Sequence, residues 1–123
     1  MMWSTTYIKA GNPLLSNEAL QELVRHGSDD VRRRVAERKA ISPELLEMLA
    51  KDSSPEVRSA VAANSQTLQN LLLKLALDPS DDVRFSMAEN HRLPETILEV
   101  LETDENIYVQ CRAHLTLKHL RGS

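Results

Sequence analysis

Apolar positions recur along the chain with one fixed step. Leu20, Leu46, Leu72 and Leu98 stand 26 residues apart, as do Leu23, Leu49, Leu75 and Leu101. Val31, Val57, Val83 and Val109 form a third column, and Val35, Val61, Met87 and Ala113 a fourth. Ile41, Thr67 and Leu93 keep the same step after Leu15. Composition bias can produce one such column, but not several at constant offsets without an insertion. The pattern is therefore an internal repeat.

Each repeat contains two short amphipathic segments. The first carries Leu-Leu-x-x-Leu, as at Leu45, Leu46 and Leu49, which is one stripe of a helix. The second carries Val at i and i+4, as at Val57 and Val61, with Ala62 beside it. Ser28, Ser54, Ser80 and Asn106 sit three residues before the Val column, where an N-cap belongs. Acids or Pro follow the three serines, and Ser42-Pro43 opens the first segment of the second repeat in the same way. Asn64 and Asn90 fall at the ends of second segments, where the sequence predicts left-handed caps.

The predicted helices span 17–26, 29–38, 43–52, 55–64, 69–78, 81–90, 95–104 and 107–120. Helices this short are unstable alone and persist only by stacking on neighbours, which predicts an all-α solenoid. A single domain is expected, with repeats at 17–42, 43–68, 69–94 and 95–120. Residues 1–16 read as a half repeat that caps the N-terminal end. Leu115, Leu117 and Leu120 read as a cap over the last core face.

Composition narrows the function. The chain has 123 residues, a formal net charge of −3, three Gly and four aromatics: Trp3, Tyr7, Phe85 and Tyr108. So few aromatics disfavour a base-stacking module, and so few Gly disfavour a phosphate-cradling loop. Bulk attraction to DNA or an anionic membrane is weak at this charge. Cys111 is the single cysteine, so no internal disulfide and no Cys-based zinc or iron–sulfur site can form. No apolar run approaches the ~18 residues of a membrane span, and no signal peptide precedes the first polar stretch. The expectation is a soluble, cytoplasmic chain without a cofactor.

The string Ser-Pro-Glu-Leu-Leu-x-x-Leu-Ala-x-Asp-x-Ser-Pro-Glu-Val-Arg-x-x-Val-Ala-x-Asn, residues 42–64, resembles the leucine-rich repeat variant family, a relative of HEAT-like repeats. The resemblance covers about residues 10–115. His26 and Arg38 depart from it in the first repeat, and Gln110 and Leu115-Thr116 in the last. It implies a right-handed superhelix of short helices, one of each pair partly 3₁₀, and a binding scaffold without a reaction of its own.

Arg32, Arg58 and Arg84 form a column. Asp52 lies six residues before Arg58, and Asp78 six before Arg84. HEAT-like repeats use a similar spacing to tie neighbouring repeats together, so Asp52, Arg58, Asp78 and Arg84 are expected to form a structural ladder. Phosphate contact along the same arginines is the competing reading. Arg32, Arg33 and Arg34 are the densest positive charge, with Asp29, Asp30 and Glu37 at self-pairing distances along a helix; an anionic partner surface, with Arg33 as a partner-binding candidate, is the alternative.

Leu73 and Leu77 break columns that hold Gln21, Glu47 and Glu99, and Arg25, Lys51 and Thr103. Phe85 and Cys111 break the column of Arg33 and Ser59. These outliers are expected to be exposed and to form a partner-binding or self-association patch, the bland alternative being extra core under the C-terminal cap. His26, His91, His114 and His119 have no metal-ligand spacing, and no Ser is marked as a nucleophile. The chain is therefore expected not to be an enzyme. It reads as a protein-binding scaffold that binds another protein or a second copy of itself, with a nucleic-acid-backbone binder on Arg32, Arg58 and Arg84 as the alternative.

Overall fold

A computed structural model describes residues 5–122. Among them are nine α-helices and no strand: α1 (Thr5–Ala10), α2 (Asn17–His26), α3 (Asp29–Ala36), α4 (Pro43–Leu49), α5 (Pro55–Ala63), α6 (Gln69–Leu75), α7 (Asp81–Ala88), α8 (Glu95–Leu101) and α9 (Ile107–Leu120). The chain is all-α. It divides into two compact units, one ending at Thr67 and the other beginning at Leu68. The division falls at the junction of the second and third repeats. In the first unit α3 packs on α1, α2 and α5, and α4 bridges α3 and α5. In the second α9 packs on α7 and α8, and α8 also meets α6 and α7.

The helix starts follow local chemistry. The hydroxyls of Ser16, Ser28, Ser42, Ser54 and Ser80 each accept the backbone N–H three residues on, and the Asn106 side chain accepts from Tyr108 and Val109. Pro43 and Pro55 open α4 and α5. The first helices α4, α6 and α8 stop three residues earlier than the apolar pattern predicts. Their tails tighten into 3₁₀-type turns, with the N–H of Asp52, Asp78 and Asp104 bonding to the carbonyls of Leu49, Leu75 and Leu101. The helices themselves are α throughout. After α2, Gly27 is required: a Cβ there would lie 2.4 Å from the Leu23 carbonyl oxygen.

The ends of the second helices differ from expectation. Asn64 has φ −75° and ψ 126°, and among the described residues no residue other than glycine has a positive φ. The side chain is worth more as a fork than as a left-handed cap. Asn64 Nδ2 donates to the carbonyls of Ala36 and Arg38 in the preceding repeat, both at 2.8 Å, while Oδ1 accepts from the Gln66 N–H. The orphan carbonyls at the end of α3 are thus satisfied by the next repeat. Arg38 does the same one repeat earlier, its Nη1 donating to the carbonyls of Ala10 and Asn12. Thr116 Oγ1 does it in the second unit, donating to Ala88 at 2.6 Å. Arg38 and Thr116 depart from the residue pattern yet keep its function. Asn64→Ala removes two such bonds beside part-buried carbonyls, so we expect a loss of about 1–3 kcal/mol, read as a lower midpoint in urea unfolding.

The core follows the columns. Leu46, Val57 and Val61 in the first unit, and Leu98, Val83 and Met87 in the second, are almost wholly buried. Leu23 is only half-buried, unlike its column mates Leu49, Leu75 and Leu101, because only the six-residue α1 stands before α2 and α3. The expected C-terminal cap is corrected: Leu117 is buried, but Leu115 and Leu120 are exposed.

Candidate functional site

The arginine column forms an internal network. Arg32 Nε donates to Asp52 Oδ2 at 2.7 Å and its Nη2 to Asp52 Oδ1 at 3.1 Å, a bidentate pair spanning 20 residues. Arg32 Nη1 donates to the Gly27 carbonyl, and Nη2 also reaches Asp29. Arg84 repeats this with Asp104, at 2.8 and 3.3 Å, with the Asp78 carbonyl and with Asp81. Arg58 Nη1 donates to the Asp52 carbonyl at 2.7 Å. The six-residue spacing is therefore a contact, but its chemistry differs from expectation. The earlier Asp offers Arg58 and Arg84 its backbone oxygen, and the carboxylates that grip Arg32 and Arg84 lie 20 residues ahead.

The carboxylates are shared. Asp52, Asp78 and Asp104 each accept the backbone N–H two residues on, from Ser54, Ser80 and Asn106. These are the residues that cap α5, α7 and α9. One carboxylate thus orients the cap of its own repeat, and Asp52 and Asp104 also grip the arginine of the repeat before. The hydrogen bond that Arg32 donates to Asp52 raises the pKa of Arg32, against burial, and the bond to Asp104 does the same for Arg84. Both guanidiniums stay charged at any pH where the fold persists. A phosphate reaching Arg32 or Arg84 would have to displace these partners.

The apolar outliers fall in several places. Phe85 is half-buried on α7, not exposed as its column predicts; Arg33 and Ser59 of the same column are half-buried as well. Cys111, on α9, is exposed. Leu73 on α6 is exposed, and Leu77, in the turn after α6, is 75% exposed beside a depression of about 410 Å³ that Pro79, Arg84 and Asp104 also line. Arg33 lies in the first unit, where it pairs with Asp30 at 3.6 Å and Glu37 at 3.2 Å.

The outward face of α9 was not anticipated. Ile107, Cys111 and Leu115 follow each other at i, i+4 and i+8, Tyr108 stands beside them, and all four are exposed, Tyr108 by 74%. They form one apolar stripe on one helix. The signal was present in the columns: Ile107 stands where Asp29 and Asp81 do, Tyr108 where Asp30, Glu56 and Asp82 do, and Leu115 where Glu37 and Glu89 do. No helix is long and apolar enough to cross a membrane, and no cluster of three or more His, Cys, Asp or Glu that could hold a metal occurs among the described residues.

No protein-family model, curated protein or solved structure matches the chain.

Proposed function

We propose that the chain is a non-catalytic helical-repeat scaffold, a short α-solenoid of the 26-residue repeat, which binds another protein through the outward face of α9. The observation that carries this reading is the stripe of Ile107, Tyr108, Cys111 and Leu115. Single exposed apolar residues are ordinary on a protein surface, but a contiguous set containing an aromatic is what interface hot spots are made of. The resemblance of residues 42–64 to a family of repeat scaffolds supports the same reading.

The test replaces Tyr108 and Leu115 together by serine. Both are exposed, so thermal unfolding should move by no more than ~0.5 kcal/mol. Binding of the partner recovered by affinity capture should weaken by more than ~1 kcal/mol, about fivefold. Binding should persist at high salt, where contact with a nucleic-acid backbone would fall steeply. Sedimentation of the purified chain tells a second copy from a different partner. Unchanged binding by the double variant would refute the reading.

A further inference from the structure

Arg112, on α9, is a half-buried guanidinium that nothing answers. Its Nε is buried without a hydrogen-bond partner, as are those of Arg34 and Arg38, but unlike theirs its guanidinium meets no carboxylate or carbonyl among the described residues. Arg25, Arg32, Arg33, Arg34, Arg84 and Arg121 each have an acid within reach, and Arg38 and Arg58 donate to carbonyls. Arg92 also has no side-chain partner, but it is exposed to water. A buried polar atom left without a partner is costly, and a ligand that completes its hydrogen bonding is one of the explanations such a group calls for.

Arg112 lines an open cavity of about 450 Å³ together with Glu89, His91, Leu115, Thr116 and His119. The Thr116 hydroxyl is already committed to Ala88. The rings of His91 and His119 are exposed, and no acid pairs with them among the described residues. The cavity therefore presents one guanidinium fork and two imidazoles.

The same place in the first repeat shows what has changed. There a cavity of about 370 Å³ is lined by Gly11, Pro13, Arg34, Glu37 and Arg38, among others. Arg34 corresponds to Arg112 three repeats on, Pro13 to His91 and Glu37 to Leu115. Arg34 is answered internally, by Glu37 at 4.0 Å and by the Tyr7 ring, whose centre lies 5.7 Å away. In the second unit the counter-ion is replaced by Leu115 and a donor is added by His91. Glu89 replaces Gly11, but it stays beyond ion-pair distance of Arg112 and lowers the affinity for an anion without satisfying the arginine.

We propose that this cavity binds a phosphate group, the Arg112 fork taking two of its oxygens and His91 and His119 donating to the others. A carboxylate presents its acceptor sites in one plane, whereas phosphate presents tetrahedral oxygens that a guanidinium fork and two imidazoles can approach from different directions. The group could come as a free phosphate or as a phosphorylated side chain on a protein, and the chemistry of recognition is the same. The site is separate from the apolar stripe, although Leu115 borders both.

The test is calorimetric titration of the full chain with inorganic phosphate in one arm and N-acetyl-phosphoserine amide in the other, with N-acetyl-serine amide as control. We expect saturable binding of at least one phosphate ligand, none of the control, and a loss of about tenfold or more for Arg112→Gln. Comparable binding in both arms assigns a free oxyanion, and much tighter binding of the phosphoserine compound assigns a modified chain. No saturable binding in either arm, equal binding of the control, or undiminished binding by a folded Arg112→Gln overturns the proposal. Should Arg112→Gln fail to fold, the double variant His91→Gln with His119→Gln carries the test through two exposed rings. Full phosphate binding by that variant overturns it as well.

Discussion

Asp104→Ala is expected to cost about 3 kcal/mol, the lower end of the range for breaking a buried ion pair. The side chains of Arg84 and Asp104 are only 8% and 7% exposed. Removing the carboxylate leaves the guanidinium half-compensated and frees the Asn106 N–H that orients the cap of α9. Asp81 softens the loss, because it also pairs with Arg84, but its side chain is 61% exposed and its contribution is screened by water. Asp104→Asn keeps an oxygen for both neighbours, so it should cost less, about 1–2 kcal/mol. Urea unfolding of the three proteins checks the order. A loss below about 1 kcal/mol for Asp104→Ala would mean that the pair aligns the repeats without holding them.

Leu98→Ala should be of the same size or larger, about 2–5 kcal/mol. Leu98 is wholly buried on α8, the helix that meets α6, α7 and α9 and so sits at the centre of the second unit. The cost combines the lost transfer of the side chain from water with the cavity left behind. Its size within that range depends on how far the short helices around it can close in. Leu77→Ala is the matching control, since a residue already in water should change stability by less than ~0.5 kcal/mol. Equal effects at Leu98 and Leu77 would mean that the 26-residue register misplaces the core.

The all-helical architecture and the positions of the helices are legible in the sequence because local rules and long-range packing agree there. A serine three residues before a buried valine caps a helix and also marks where the valine column begins. The limits of that reading are equally physical. Periodicity cannot tell a last α turn from a 3₁₀ turn, so α4, α6 and α8 end earlier than the apolar pattern implies. Cap preference alone cannot show that Asn64 is worth more as a fork to Ala36 and Arg38 than as a left-handed residue. Arg38 and Thr116 resemble neither Asn nor each other, and only geometry reveals that they satisfy the same carbonyls.

The candidate site was less legible. Phe85 drew attention because it is an aromatic in a polar column, yet it is half-buried there, as Arg33 and Ser59 are. Tyr108 breaks an acidic column as clearly, whereas the columns of Ile107 and Leu115 also hold Pro55 and Ala63, and Leu115 reads as part of the C-terminal cap. Arg112 carries no sequence signal beyond its column, because an unanswered charge is defined by what is missing around it in space.

The reach of the inter-repeat bonds has a kinetic consequence. Arg32 to Asp52 and Arg84 to Asp104 close over 20 residues, and Asn64 to Arg38, Arg38 to Ala10 and Thr116 to Ala88 over 26 to 28. None of these contacts requires the two ends of the chain to find each other. Topology of this kind has a low contact order, and the search for the native state is correspondingly brief. On a ribosome, Arg32 and Arg84 can make these bonds as soon as the loop that carries Asp52 or Asp104 has emerged, without waiting for the rest of the chain.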